Sequence, residues 1–210
     1  PASQTLYGKG SIFKELADVF TFDGSKLKII RTTSENTTKR ADYDATLLKN
    51  QPGEYVGWLI HLNHAGTLSG NYQVEETVPD GMEIAYIRMY WDGNNVRSSD
   101  SQMVEITDPG SGWTTVKNTS IGKNTGRRTN FYYVKDQTAI MEVSNLIRAA
   151  ATDQSAADQY AVELQIVCKL TDTEVLQGGQ TKTFANQVKL STQDGRELDT
   201  DVSPVELSVP

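Results

Sequence analysis

The stretch Tyr160 to Leu170, YAVELQIVCKL, alternates apolar and polar side chains with a period of two. Val162, Leu164, Ile166, Cys168 and Leu170 fall on one face and Glu163, Gln165 and Lys169 on the other, the pattern of a strand with one buried side. Cys168 then reads as a core residue and not as a nucleophile. Working outward, Val56 to Leu62 (VGWLIHL) sets Val56, Trp58, Ile60 and Leu62 opposite Gly57, Leu59 and His61. Ala85 to Trp91 (AYIRMYW) sets Ile87, Met89 and Trp91 opposite Tyr86, Arg88 and Tyr90. Lys26 to Arg31, Gln73 to Val78, Asn130 to Val134, Thr183 to Leu190 and Val205 to Val209 are further strand candidates. Turn signals separate these runs: Pro52-Gly53, Pro79-Asp80-Gly81, Asp92-Gly93-Asn94-Asn95, Asp108-Pro109-Gly110, Gly178-Gly179 and Asp194-Gly195. Short strands at such spacing predict an all-β chain, an elaborated immunoglobulin-like β-sandwich with Greek-key strands.

One segment reads differently. Ile140, Val143, Leu146, Ile147 and Ala150 recur at helical spacing, which predicts a short helix within residues 140–151. Residues 1–25 show no clear period, so they read as an N-terminal extension or first strands ahead of a domain over 26–210.

Composition narrows the function. With 37% hydrophobic residues in 210, the chain can bury a sizeable core. Twenty basic against 27 acidic residues give a net charge of −7, which argues against nucleic acid or an anionic membrane as partner. No stretch approaches the roughly 20 apolar residues of a membrane span. Opening on Pro1 and closing on Pro210 without a targeting signal, the sequence reads as a piece of a longer protein. A lone cysteine excludes a disulfide scaffold.

The usual catalytic and metal constellations are not assembled. The only histidines, His61 and His64, lie beside no Gly-x-Ser-x-Gly elbow, so a hydrolase is not indicated. His61 reads as outward-facing and His64 as a turn residue, both solvated and not zinc ligands. Asp92, Asn94, Asn95 and Asp100 lack the ligand spacing of a calcium loop, and Gly122 to Arg128 (GKNTGRR) lacks that of a phosphate loop. Neither a metal nor a cofactor is expected. Outward aromatics Tyr86 and Tyr90, with Trp113, Tyr132 and Tyr133, could form a sugar-stacking or protein-docking platform.

Buried polar residues give the sharpest signal. Glu76 shares a face with Val74 and Val78, and Asn186 shares one with Phe184 and Val188, so both should point inward. Lys39 shares its face with Ala41 and Tyr43. Burying such groups singly costs several kcal/mol, so they require a mutual explanation.

The order of segments suggests one. Lys39-Arg40-Ala41-Asp42-Tyr43-Asp44, VGWLIHLN at 56–63, Thr67-Leu68-Ser69-Gly70, and Val74-Glu75-Glu76-Thr77-Val78-Pro79-Asp80-Gly81 are followed far downstream by Phe184-Ala185-Asn186-Gln187-Val188. This ordered set, over roughly residues 35–209, resembles the collagen-adhesin A-type, isopeptide-forming domains of Gram-positive surface adhesins and pilins. The resemblance implies a spontaneous isopeptide bond between Lys39 and Asn186, assisted by Glu76. Glu75 is the second candidate for the acid, because the family's usual aspartate is replaced here by Glu75-Glu76. Lys28, alternating with Ile30 in a strand-like run, is the second candidate for the lysine.

The resemblance further implies a non-enzymatic, extracellular and cell-wall-anchored module. Its partners would be a host protein or glycan and the neighbouring domains of a longer surface protein. The alternative is a carbohydrate-binding β-sandwich without the bond, whose sugar affinity would depend on Trp113 or Tyr90.

Overall fold

The chain alternates in β-pattern almost throughout, and the computed structural model shows twelve strands among the described residues. Those residues are 12–23, 26–31, 53–90, 102–105, 112–116, 130–135, 138–150, 152, 160, 162–172 and 181–208. Lys39, the acidic loop from Asp92 to Asp100 and the Gly122 to Arg128 segment lie outside them.

In chain order the strands are β1 (Ile12–Asp23), β2 (Lys26–Arg31), β3 (Glu54–Leu62), β4 (Gly70–Thr77), β5 (Met82–Tyr90) and β6 (Gln102–Glu105). There follow β7 (Gly112–Val116), β8 (Asn130–Lys135), β9 (Thr138–Leu146), β10 (Val162–Leu170), β11 (Thr181–Thr192) and β12 (Glu197–Ser208). They form two six-stranded sheets. The first runs β2-β1-β3-β10-β5-β6 and the second β12-β11-β4-β9-β8-β7, with β10 crossing over to lie between β3 and β5. Every pairing is antiparallel. This is a β-sandwich, as the period-two reading predicts, and no described helix is long and apolar enough to cross a membrane.

The core lies between the inner faces. From the first sheet come Ile12, Leu16, Val56, Trp58, Ile60, Leu62, Ile87, Leu164, Ile166 and Cys168. Val74, Met141, Val143, Phe184, Val188 and Val205 come from the second. Cys168 is buried there, and its surroundings push the thiol above its ordinary range by desolvation.

Three readings need correction. The segment expected to be helical is strand β9: Ala139, Met141 and Val143 alternate into the core while Ile140 and Glu142 are half-buried on the other side. The apparent helical spacing arose from Ile140 and Ile147, which are not core-facing, and Asn145, at φ 59°, breaks the regular strand backbone near its end. The outer face of the first sheet is also not the solvated side expected. Tyr55, Leu59, Gln165, Val167 and Tyr86 are buried, so Tyr86 offers no docking platform. A sheet buried on both faces explains why VGWLIHL is nearly continuously apolar. Lastly, His61 is not a solvated residue: it is buried, stacks on Phe13 with ring centroids 4.3 Å apart, and places Nε2 3.2 Å from Glu15 Oε2. His64 is exposed.

Asn63 closes the end of β3. At φ 58° it occupies the left-handed region that asparagine tolerates better than most residues. Its Nδ2 donates to the carbonyls of Leu68 (3.3 Å), Ile147 (3.2 Å) and Tyr160 (3.1 Å), and its Oδ1 accepts from the Leu68 N–H (2.8 Å). One buried side chain thus ties together the chain ends around β3, β4, β9 and β10.

Candidate functional site: a buried lysine, glutamate and asparagine

β4 and the residue that follows it alternate Val74, Glu76 and Val78 inward, and β11 alternates Phe184, Asn186 and Val188 inward; all six side chains are buried. Glu76 stands opposite Val188 in the β4–β11 register, so Asn186 lies diagonally across from it on the same face. Glu75 points the other way, is partly exposed and pairs with Lys189 at 3.3 Å. Of the two adjacent glutamates, only Glu76 enters the core.

The lysine that meets them is Lys14, which the sequence reading did not select. It comes from β1 in the opposing sheet, where Ile12, Lys14 and Leu16 lie opposite Leu62, Ile60 and Trp58 of β3. Lys14 Nζ donates to both carboxyl oxygens of Glu76 and to Asn186 Oδ1. The side chains of Lys14 and Glu76 are wholly withdrawn from solvent. Lys28, by contrast, stands in the edge strand β2 opposite Thr21 of β1. The β1 backbone is anchored at the same residue, since the Lys14 N–H donates to Asp201 Oδ2 of β12 at 2.7 Å.

The sequence pattern hides Lys14 because β1 carries a register shift between Leu16 and Asp18. The inward set runs Ile12, Lys14, Leu16 and then Val19, so the period of two changes parity mid-strand and no single alternation fits. A lysine in the inward set further disguised the strand.

Burial governs the electrostatics. Desolvation lowers the Lys14 pKa, opposed by the Glu76 charge; it raises the Glu76 pKa, opposed by Lys14 and by the Asn186 side chain. Both shifts favour a neutral amine beside a protonated acid. The Trp58 ring walls the site, its centroid 5.6 Å from Lys14 Nζ. Asn186 Nδ2 makes no hydrogen bond of good geometry, although the carboxamide lies close enough to Glu76 to oppose its upward shift, so its oxygen is held more firmly than its nitrogen. No described group of three or more His, Cys, Asp or Glu residues is arranged to hold a metal ion.

No family model matches the sequence, and no characterised protein matches it by sequence. Solved structures do. The collagen-binding domain of a Staphylococcus aureus adhesin aligns with 95% of this chain and 98% of its own, at 10% identity and a TM-score of 0.38. An Enterococcus faecalis adhesin described as binding its ligands by a collagen hug model aligns over 73% of this chain and 46% of its own, at 10% identity and a TM-score of 0.39. The major pilin subunit of Bacillus cereus aligns over 74% of this chain and 34% of its own, at 11% identity and a TM-score of 0.36. The chain thus spans nearly all of the first and less than half of the other two.

The pKa directions make one prediction that does not depend on any reaction. Lys14→Met removes the amine while keeping an apolar chain of similar length, leaving Glu76 desolvated and without the larger of the two groups that oppose its upward shift. A carboxyl whose folded pKa lies above its unfolded value of 4.5 is protonated in the fold where the unfolded chain has ionised. Its contribution is complete below that value and is lost as pH rises toward the folded pKa. The unfolding free energy of Lys14→Met, read from urea titrations, should therefore fall as pH rises above about 4.5, by up to ~1.4 kcal/mol per pH unit. The added change Glu76→Gln should flatten that dependence; a slope that survives it would assign the titration to another group.

Proposed function

We propose that the chain is a surface module of adhesin or pilus type from a Gram-positive bacterium, locked by an isopeptide bond between Lys14 and Asn186 with Glu76 as the assisting acid. The contact of a desolvated lysine amine with a buried carboxamide and a buried carboxyl carries this reading. Nothing else in the core calls for three polar groups from distant segments to share one site.

The chemistry balances without a cofactor. Neutral Lys14 Nζ attacks Asn186 Cγ while the protonated Glu76 hydrogen-bonds and polarises the carboxamide. Glu76 gives its proton to Nδ2, the Cγ–Nδ2 bond breaks and ammonia leaves; Glu76 recovers a proton from Nζ as the new amide forms. The acid is unchanged at the end and each molecule reacts once, so this is a maturation step and not an enzyme activity.

A module of this kind acts outside the cell, in a longer cell-wall-anchored protein, with a host protein or glycan as partner and other domains of the same protein as neighbours. The sugar-binding alternative loses one support, because Tyr86 is buried.

Intact-mass spectrometry with peptide mapping tests the bond. The mass should lie one ammonia below the sequence value, and a proteolytic fragment should join the segment around Lys14 to that around Asn186. An unmodified mass would remove the bond from the proposal, and a cross-link through Lys28 or Lys39 would reassign the lysine.

A further inference from the structure

The isopeptide reading leaves polar groups of the same core unused, among them the Trp58 indole N–H and the Ser203 hydroxyl. Ser203 of β12 lies directly opposite Asn186 in the β11–β12 register, and Asp201, Ser203, Val205 and Leu207 form the inward set of that strand. The serine is buried, and its Oγ has no hydrogen-bond partner. Asn186 Nδ2, on the neighbouring position of the same face, is likewise without one. A buried hydroxyl and a buried amide nitrogen, each without a hydrogen bond of good geometry, therefore face inward from adjoining positions. Directly opposed residues have Cβ atoms about 4.5–5.5 Å apart, which a serine rotamer change can convert into a hydrogen bond.

Burying either group unsatisfied is costly, and an alanine at 203 would suit this apolar face better. The cost falls where the reaction would need help. Once Nζ adds to Cγ, Nδ2 becomes pyramidal and must present its lone pair to the Glu76 proton. A neighbouring acceptor that takes an N–H from the departing nitrogen orients that lone pair.

We propose that Ser203 is a positioning residue for this reaction, its hydroxyl accepting a hydrogen bond from Asn186 Nδ2 as the nitrogen leaves. Ser203 gains and loses no proton, so the balance between Lys14, Glu76 and ammonia is unchanged. β12 then serves the site twice: Asp201 holds the backbone of the amine-bearing strand, and Ser203 orients the amide it attacks. The inference rests on the isopeptide reading and goes one residue beyond it.

The test follows ammonia loss by intact mass during cell-free synthesis of the full chain, comparing parent, Ser203→Ala and Ser203→Thr. Loss of one hydrogen bond in the transition state should slow Ser203→Ala by about tenfold, and Ser203→Thr, which restores the hydroxyl, should react within about twofold of the parent. A structural role is separated in the unreactive Asn186→Ala background. There, adding Ser203→Ala should leave the urea midpoint unchanged or raised, because it removes an unsatisfied buried hydroxyl. Equal rates for Ser203→Ala and parent would overturn the proposal, as would a slow Ser203→Thr or a clear loss of midpoint in the unreactive background. A parent chain that never loses ammonia would instead overturn the isopeptide reading itself, and this inference with it.

Discussion

Asn186→Ala should melt about 10–20 °C below the parent protein. Lys14 and Asn186 are 172 positions apart, so a bond between them closes most of the chain into one loop. By the chain-entropy estimate used for disulfides, closing a loop of that length restricts the unfolded state by about 5 kcal/mol. In a domain of this size each kcal/mol moves the melting temperature by about 2–4 °C. The variant also leaves a small void beside Phe184 and Val188, which adds to the loss. Lys14→Met should lose the same loop restriction through the other end of the bond. Calorimetry on both variants, with intact mass as control, checks the point. A melting temperature within about 2 °C of the parent for both would mean that no covalent tie contributes to stability.

The sandwich itself was legible because most of its strands have one apolar face, and a period of two survives without knowledge of partners. VGWLIHL and YAVELQIVCKL needed no context. β9 was not legible, since Ile140 and Ile147 supplied a helical spacing that only packing could refute: Ala139, Met141, Val143 and Leu146 are the residues that reach the core. The site was half legible for the same reason. Glu76 and Asn186 each sit in a run that alternates cleanly for two residues on either side, so their inward direction could be read. Lys14 sits two residues before a register shift, in a strand whose parity changes, and only the pairing of β1 with β3 reveals its direction. Ser203 was invisible at sequence level because a serine between Val202 and Pro204 in an edge strand carries no signal until its cross-strand neighbour is known.

Force should reveal the same tie more sharply than heat. Lys14 stands in the first sheet and Asn186 in the second, so the bond would join the two layers across the core. Tension applied at the termini would pass from residue 14 to residue 186 through covalent bonds alone, bypassing β2 through β10 and the first half of β11. Only residues 1–13 and 187–210 would remain free to extend, on the order of 100 Å of chain. β12 could peel from β11, but the core strands would carry no load. In Asn186→Ala the 172-residue loop is released, and unfolding should add on the order of 600 Å. Single-molecule pulling from both ends distinguishes the two cases by extension alone, with no appeal to unfolding force. Equal extension for parent and variant would show that tension reaches the core strands in both, and a covalently locked module would be excluded. A long gain confined to the variant would mean that the buried lysine, glutamate and asparagine are there to be consumed, and that their burial is tolerated for the bond they leave behind.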